Sequence, residues 1–246
     1  MRLIWTLDSN SKKLNYDEKI ILINYYILSI HKAKELGYKT IMYCDTDVCD
    51  IFIDIVDELY LTNSDSPLWD SFKIQALQDQ PDNDYYLIDG DIILHNKLPQ
   101  PDSELTFDAF EILNWRKEYK PVIDTLTELG IKEFIPEWTG TRMNVINCGI
   151  LNFKNENHKK IYLEKWNIFN TFVKNNIDKI DIKYATGVGA QYLLSLICKE
   201  YNIEIKPLCS SFGEYGNYYK HHYGPTKYLK PIVSTYEVLK IKKEII

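Results

Sequence analysis

The sequence predicts an α/β fold with a mainly parallel central sheet flanked by helices. Three observations carry that expectation. Short apolar runs of strand length alternate with helical segments through the first half of the chain. The acids Asp8, Asp45 and Asp89 each follow such a run, where ligands of open parallel sheets bind. No internal repeat, linker or low-complexity stretch divides the sequence.

The elements follow in order. A first core strand is expected at Leu3 to Leu7, then a helix near Asp17 to Leu36, which Gly37 stops. A second strand, Lys39 to Cys44, completes a βαβ opening. A short strand at Leu59 to Leu61 precedes a helix from about Leu68 to Gln78. Tyr85 to Ile88 follows a Pro-Asp-Asn-Asp turn. The second half is less regular. It reads as a strand near Leu105 to Phe110, a helix near Glu118 to Leu129, a loop through Pro136 to Thr141 and a single core strand from Asn144 to Phe153. Helices near Asn157 to Asn175 and Val188 to Tyr201, a strand at Ile203 to Lys206 and a tail rich in Gly and Tyr complete the chain.

Composition excludes several classes. A formal net charge of -6 argues against a nucleic-acid partner, because a surface that tracks phosphates carries a basic excess. The lysines between Lys227 and Lys243 read as a solvated helix face. No membrane span is expected: the run Ile20 to Ile30 is broken by Asn24 and Ser29 and fits an amphipathic helix. The first strand begins where a secretory signal would stand, so the expected location is cytoplasmic. Cys44, Cys49, Cys148, Cys198 and Cys209 form no Cys-x-x-Cys pair and are odd in number, which predicts free thiols.

The most informative stretch is Tyr85-Tyr86-Leu87-Ile88-Asp89-Gly90-Asp91-Ile92-Ile93-Leu94. Two carboxylates interrupt what otherwise reads as buried strand, and bare charge is costly there unless paired or metal-bound. Residues two apart on extended backbone point the same way, so Asp89 and Asp91 can share one cation, and Gly90 lets a ligand approach the main chain. Oxygen donors of this kind suit Mn²⁺ or Mg²⁺. A plain Asp-Gly turn is the alternative reading.

Three later clusters stand in fixed order: Asn147-Cys148-Gly149, Gly189-Ala190-Gln191 and His221-His222-Tyr223-Gly224-Pro225-Thr226-Lys227. Together with the Asp-Gly-Asp strand they resemble the GT-A type sugar-nucleotide glycosyltransferases, and most of all the retaining family of glycogenin and bacterial lipopolysaccharide galactosyltransferases. The resemblance runs from about Leu3 to Tyr228. It implies a single GT-A (Rossmann-like) domain over 1–246, with a nucleotide-binding half at 1–95 and an acceptor-facing half plus tail at 96–246.

The resemblance implies further that Asp89, Asp91 and His221 hold Mn²⁺ or Mg²⁺, with His222 as a rival ligand. Gly224 and Lys227 would face the donor diphosphate. Asn147 and Gly149 would form a turn at the sugar, Gln191 would lie near the anomeric carbon, and Lys73 would stand near the donor. Asp8 and Asp45 at strand ends, with Tyr16 as a stacking residue, would contact the nucleotide base. Lys227 and Gln191 would then be the catalytic groups. The expected partners are a nucleotide-sugar donor, with UDP-hexose favoured, and a hydroxyl acceptor on a glycan, lipid or protein.

Two departures mark the chain. Ala190 stands where the family carries an acid before the glutamine, and Tyr228 stands where Pro-Trp often follows the lysine. The resemblance implies transfer with retention, resting on His221-x-x-Gly224-x-x-Lys227 and on Gln191, an amide under the reacting carbon with no carboxylate assigned beside it. An inverting enzyme using Asp108, Glu111 or Asp70 as base stays open, and so does a catalytically silent nucleotide-sugar binding module. A nucleotidyltransferase usually shows a Gly-rich segment after the first strand, whereas Asp8 to Lys13 contains no glycine.

Overall fold

The computed structural model describes residues 1–9, 14–81, 83–114, 119–130, 142–209 and 217–222. The first strand, β1 (Arg2–Leu7), is apolar on both faces: Leu3, Trp5 and Leu7 point to one side and Ile4 to the other. A strand of that kind must be covered twice. On one side lies α1 (Tyr16–Glu35), which opens on a capping box between Asn15 and Glu18 and carries Lys32 and Lys34 in its last turn. It ends at Gly37, whose φ of 78° puts it in the left-handed region. Tyr25, Tyr26, Ile27, Ile30 and Ala33 of α1 are buried against that face.

β2 (Lys39–Cys44) and β3 (Glu58–Leu61) extend the sheet outward in parallel, with the short helix α2 (Cys49–Phe52) between them. The chain then passes through α3 (Ser71–Asp79) and returns on the other side of β1 as β4 (Tyr85–Ile88). That reversal creates a crevice beyond the carboxyl ends of β1 and β4. After β5 (Ile92–Leu94) come β6 (Leu105–Phe107), β7 (Phe110–Asn114), α4 (Lys120–Glu128), β8 (Arg142–Ile146) and β9 (Ile150–Phe153). The order in the main sheet is β10-β6-β9-β4-β1-β2-β3, where β10 is Ile205–Pro207. It is mostly parallel; β9 runs antiparallel to both β4 and β6. Both halves of the sequence therefore supply strands to one sheet. The opposite face is covered by α3 and by α5 (Glu156–Asn175) and α7 (Leu193–Glu200), with α6 (Ile182–Gly187) before a π-turn at Val188–Tyr192.

Most expected elements lie within a few residues of those observed, and three differ. The expected strand Asn144 to Phe153 is two strands in two sheets, β8 and β9, separated by a turn at 147–149. The Asn147 side chain accepts from the Gly149 amide at 2.8 Å, a local bond that replaces the ladder there. Likewise the strand expected from Leu105 to Phe110 breaks at Asp108-Ala109. There the Asp108 amide bonds Ile150 and the Ala109 carbonyl accepts from Asn147. The two breaks face each other, and the β7–β8 ribbon leaves the main sheet at that corner. The helix expected from Val188 begins earlier and opens through the π-turn.

The five cysteines are free, and all but Cys49 are buried. No helix among the described residues is long and apolar enough to cross a membrane.

Candidate functional site

Asp89 and Asp91 leave the carboxyl end of β4. A third strand pair delivers their neighbour: β11 (Tyr219–His221) runs antiparallel to β5, with His221 opposite Ile92. The backbone amide of His222 donates to the Asp91 carbonyl at 2.8 Å and holds that register. Asp89, Asp91 and His221 thereby offer donor atoms that all lie within 4.8 Å of one another. Two carboxylates and an imidazole form a donor set that suits Mn²⁺. The His222 ring instead tilts against Tyr25 at 5.5 Å between centroids, so the geometry favours His221 over its neighbour.

His221 is held from behind. Its Nδ1 lies 2.6 Å from Asp108 Oδ2, and its Nε2 lies 3.5 Å from Asp91 Oδ1. The other Asp108 oxygen accepts from the Tyr219 hydroxyl. Burial, reinforced by the Asp108 charge, raises the Tyr219 pKa and keeps that hydroxyl a donor. For His221, burial favours the neutral ring, but hydrogen bonds to Asp108 and Asp91 outweigh it and push the pKa up to about 10. A proton and a cation therefore compete for Nε2.

Lys73, on α3, reaches the same carboxylates. Its Nζ is 2.5 Å from Asp89 Oδ1 and 3.0 Å from the Cys148 carbonyl. Burial would lower its pKa, yet the Asp89 charge and hydrogen bond raise it, so Lys73 is a cation. The Asp89 amide in turn donates to the Gly149 carbonyl at 2.7 Å. Gly149 has no room for a side chain: a Cβ there would stand 2.7 Å from both Asp108 Oδ2 and His221 Cε1.

The Asn147 and Gln191 amides converge on one carboxylate oxygen. Asn147 Nδ2 donates to Glu111 Oε2 at 3.0 Å and Gln191 Nε2 to the same atom at 3.2 Å. The Tyr119 hydroxyl donates to Gln191 Oε1 at 2.6 Å, which fixes the amide with its oxygen toward Tyr119. Glu111 is brought there by β7, paired with Val145 of β8. The expectation that no carboxylate adjoins Gln191 is thus corrected: the ribbon folds Glu111 back over the turn. Gln191 itself sits in the π-turn, whose Ala190 carbonyl is taken up by the Cys148 thiol at 3.5 Å and the Tyr162 hydroxyl at 3.4 Å.

Of the other expected residues, Asp8 and Tyr16 line a cleft of about 210 Å³, together with Leu14, Ile20, Asp47 and Val48. Tyr16 is 77% exposed at its rim. Asp45 does not line this cleft; its carboxylate accepts from the Ser9 amide at 2.6 Å and the Asp47 amide at 2.9 Å and ties two loops together. Asp70 is no general base: it is 4% exposed and its Oδ2 accepts from Trp166 Nε1 at 3.0 Å. Burial pushes its pKa up to about 6. Gly224 and Lys227 lie outside the described residues.

No protein-family model matches the sequence, and no curated protein does. Among solved structures, the chain is similar to the inositol-1-phosphate CTP transferase of T. maritima, with a TM-score of 0.48, 11% identity, and coverage of 99% of this chain and 96% of that one. For the CTP:phosphocholine cytidylyltransferase LicC of Streptococcus pneumoniae the TM-score is 0.47 at 11% identity, covering 100% of this chain and 99% of that one. For the glycosyltransferase GlyE of Streptococcus pneumoniae TIGR4 it is 0.43 at 10% identity, covering 83% of this chain and 44% of that one.

Proposed function

We propose that this protein is a metal-dependent glycosyltransferase that moves a hexose from a nucleoside diphosphate sugar, with UDP favoured, to a hydroxyl acceptor on a glycan, lipid or protein. The observation that carries the proposal is the meeting of Asp89, Asp91 and His221 beyond β4, beside the crevice that opens between β4 and β1. Asp89 and Asp91 are neighbours in sequence, but His221 arrives from the far end of the chain on a dedicated strand.

Held there, Mn²⁺ or Mg²⁺ would supply Lewis-acid stabilisation of a departing diphosphate. The chain's own residues do the rest. Asp89 and Asp91 present oxygen donors, and Asp108 turns the His221 imidazole toward them. Lys73 places a fixed positive charge beside Asp89. The nucleotide base is assigned to the cleft at Asp8 and Tyr16, where the exposed Tyr16 ring would stack on it. Lys227 is the resemblance's candidate for a further contact with the diphosphate.

Retention is the proposed stereochemical course, with Gln191 steadying charge at the reacting carbon. Glu111 favours a second reading. Its carboxylate lies against the Asn147 and Gln191 amides, where a general base of an inverting enzyme would be useful. The nucleotidyltransferase alternative has no glycine-rich segment after β1 to support it.

The test is a donor screen. Nucleotide sugars are incubated with the protein and Mn²⁺, and release of UDP or GDP is scored with and without EDTA. Slow release of UDP from one UDP-hexose, abolished by EDTA, is expected. Release from no donor, together with UDP binding indifferent to EDTA, would overturn the reading.

A further inference from the structure

Asp108 is the most enclosed acid near the cluster, at 2% exposure, and both of its carboxylate oxygens are engaged. Oδ2 lies 2.6 Å from His221 Nδ1, and Oδ1 accepts from the Tyr219 hydroxyl. The backbone around it is pinned as well. Its amide donates to the Ile150 carbonyl at 2.9 Å, and its carbonyl accepts from the Leu208 and Cys209 amides, each at 3.0 Å. A carboxylate that is 2% exposed and hydrogen-bonded at both oxygens is out of reach of an incoming hydroxyl, which argues against it as a base.

We infer that Asp108 is a positioning residue for the metal ligand: with Tyr219 it forms a clamp that holds His221 with Nδ1–H turned inward and the Nε2 lone pair turned toward Asp91 and the cation. The inference rests on the metal reading above and deepens it. The short contact is at Nδ1, 2.6 Å from Asp108 Oδ2 against 3.5 Å from Nε2 to Asp91 Oδ1, so Nδ1 keeps its proton toward Asp108 and Nε2 is the nitrogen a cation would take. Carboxylates behind metal-binding histidines fix ring orientation and raise ligand basicity in this way. Two further observations support the clamp. Tyr219 and His221 both belong to β11, alternate residues on one side of the strand, so one docking event delivers ligand and clamp together. Gly149 leaves the space they fill, since a Cβ would come within 2.7 Å of each member of the Asp108–His221 pair.

The experiment is direct titration of Mn²⁺, followed by the electron paramagnetic resonance of the free ion, for wild type, Asp108→Ala, Asp108→Asn and Tyr219→Phe, each also in a His221→Ala background. Thermal melts establish which variants fold. Asp108→Ala should weaken Mn²⁺ binding by about 10- to 100-fold, the usual effect of losing a group behind a ligand. Asp108→Asn and Tyr219→Phe should fall between it and wild type. In the His221→Ala background the same substitutions should change affinity less than about twofold, because the group they position is gone. A residue that merely packs the fold would not show that dependence on His221. If Asp108→Ala fails to fold, Asp108→Asn and Tyr219→Phe decide the matter by the same comparison. Wild-type affinity in the folded variants, or equal losses in both backgrounds, overturns the clamp and leaves the metal reading standing. Absence of Mn²⁺ binding by wild type overturns both.

Discussion

Tyr26 closes the space above Gly90. A Cβ built at Gly90 would stand 2.2 Å from two atoms of the Tyr26 ring. The ring cannot swing aside freely, because its hydroxyl donates to the Thr6 carbonyl at 2.7 Å. The spacing of the two acids around one glycine is therefore set by α1 packing over the loop.

Gly90→Ala should destabilise the fold by about 1 to 3 kcal/mol, as overpacking does, and should weaken Mn²⁺ binding by spreading Asp89 and Asp91. Replacing Tyr26 by Leu in the same chain should restore part of both. Chemical denaturation and Mn²⁺ titration measure the two effects; a Gly90→Ala protein as stable as wild type would show that the loop yields without cost.

Lys73 holds an Asp89 oxygen, and a cation at the proposed site would share that carboxylate with it. Lys73→Met should lower stability, because it leaves Asp89 without its ammonium partner. It should also tighten Mn²⁺ binding in the absence of nucleotide by about tenfold, through relief of like-charge repulsion at close range. Calorimetric titration checks the sign. Weaker Mn²⁺ binding would mean that Lys73 chiefly orients Asp89.

Gln191 and Glu111 separate the two stereochemical readings. For a retaining enzyme, Gln191→Ala and Glu111→Gln should each lower kcat by about 10- to 100-fold, since Glu111 then only holds the amides. For an inverting enzyme, Glu111→Gln should cost about a thousandfold or more while Gln191→Ala costs far less. Proton NMR of the first-formed product from an α-linked UDP-hexose gives the stereochemistry directly. An α-linked product is expected; a β-linked one would assign Glu111 as the base.

Asp70 gives a pH dependence of known sign. Burial raises its carboxyl to about 6, with the Trp166 hydrogen bond offsetting only part. Its folded value lies above the unfolded one, so the folded state holds the proton more tightly. The stabilisation is full below about pH 4 and is lost as the pH rises through about 6. Asp70→Asn, which keeps an oxygen for Trp166, should gain stability relative to wild type over that window, by at most about 3 kcal/mol. Urea denaturation at several pH values reads the difference; one that stays constant with pH would remove Asp70 from this role.

Much of the fold was legible because β1, β2 and β4 are apolar on both faces and separated by helices, the first of which opens on a capping box, signals that local sequence carries. The Asp-Gly-Asp acids were legible for a related reason, as charges that break an apolar run. What stayed hidden was non-local. The corner where β6 passes into β7 and β8 into β9 is apolar on either side, so each pair looked like one strand. Glu111 reaches Gln191 only because β7 pairs with β8. Asp108 meets His221 across 113 residues, and nothing in local periodicity records such a pairing. Asp45 was read from its position at a strand end, yet its oxygens face backbone amides; that choice depends on how the loop after β1 turns.

The ribbon of β5 and β11 has a kinetic consequence. The acids and their lysine come together early in the chain, while the imidazole must close a loop of more than a hundred residues, a slow and entropically costly event compared with forming β1 to β4. On the proposed metal reading, a chain whose β11 has not yet docked would carry Asp89 and Asp91 beside Lys73 without the imidazole donor. On that reading, docking of β11 against β5 is the step that completes the donor set.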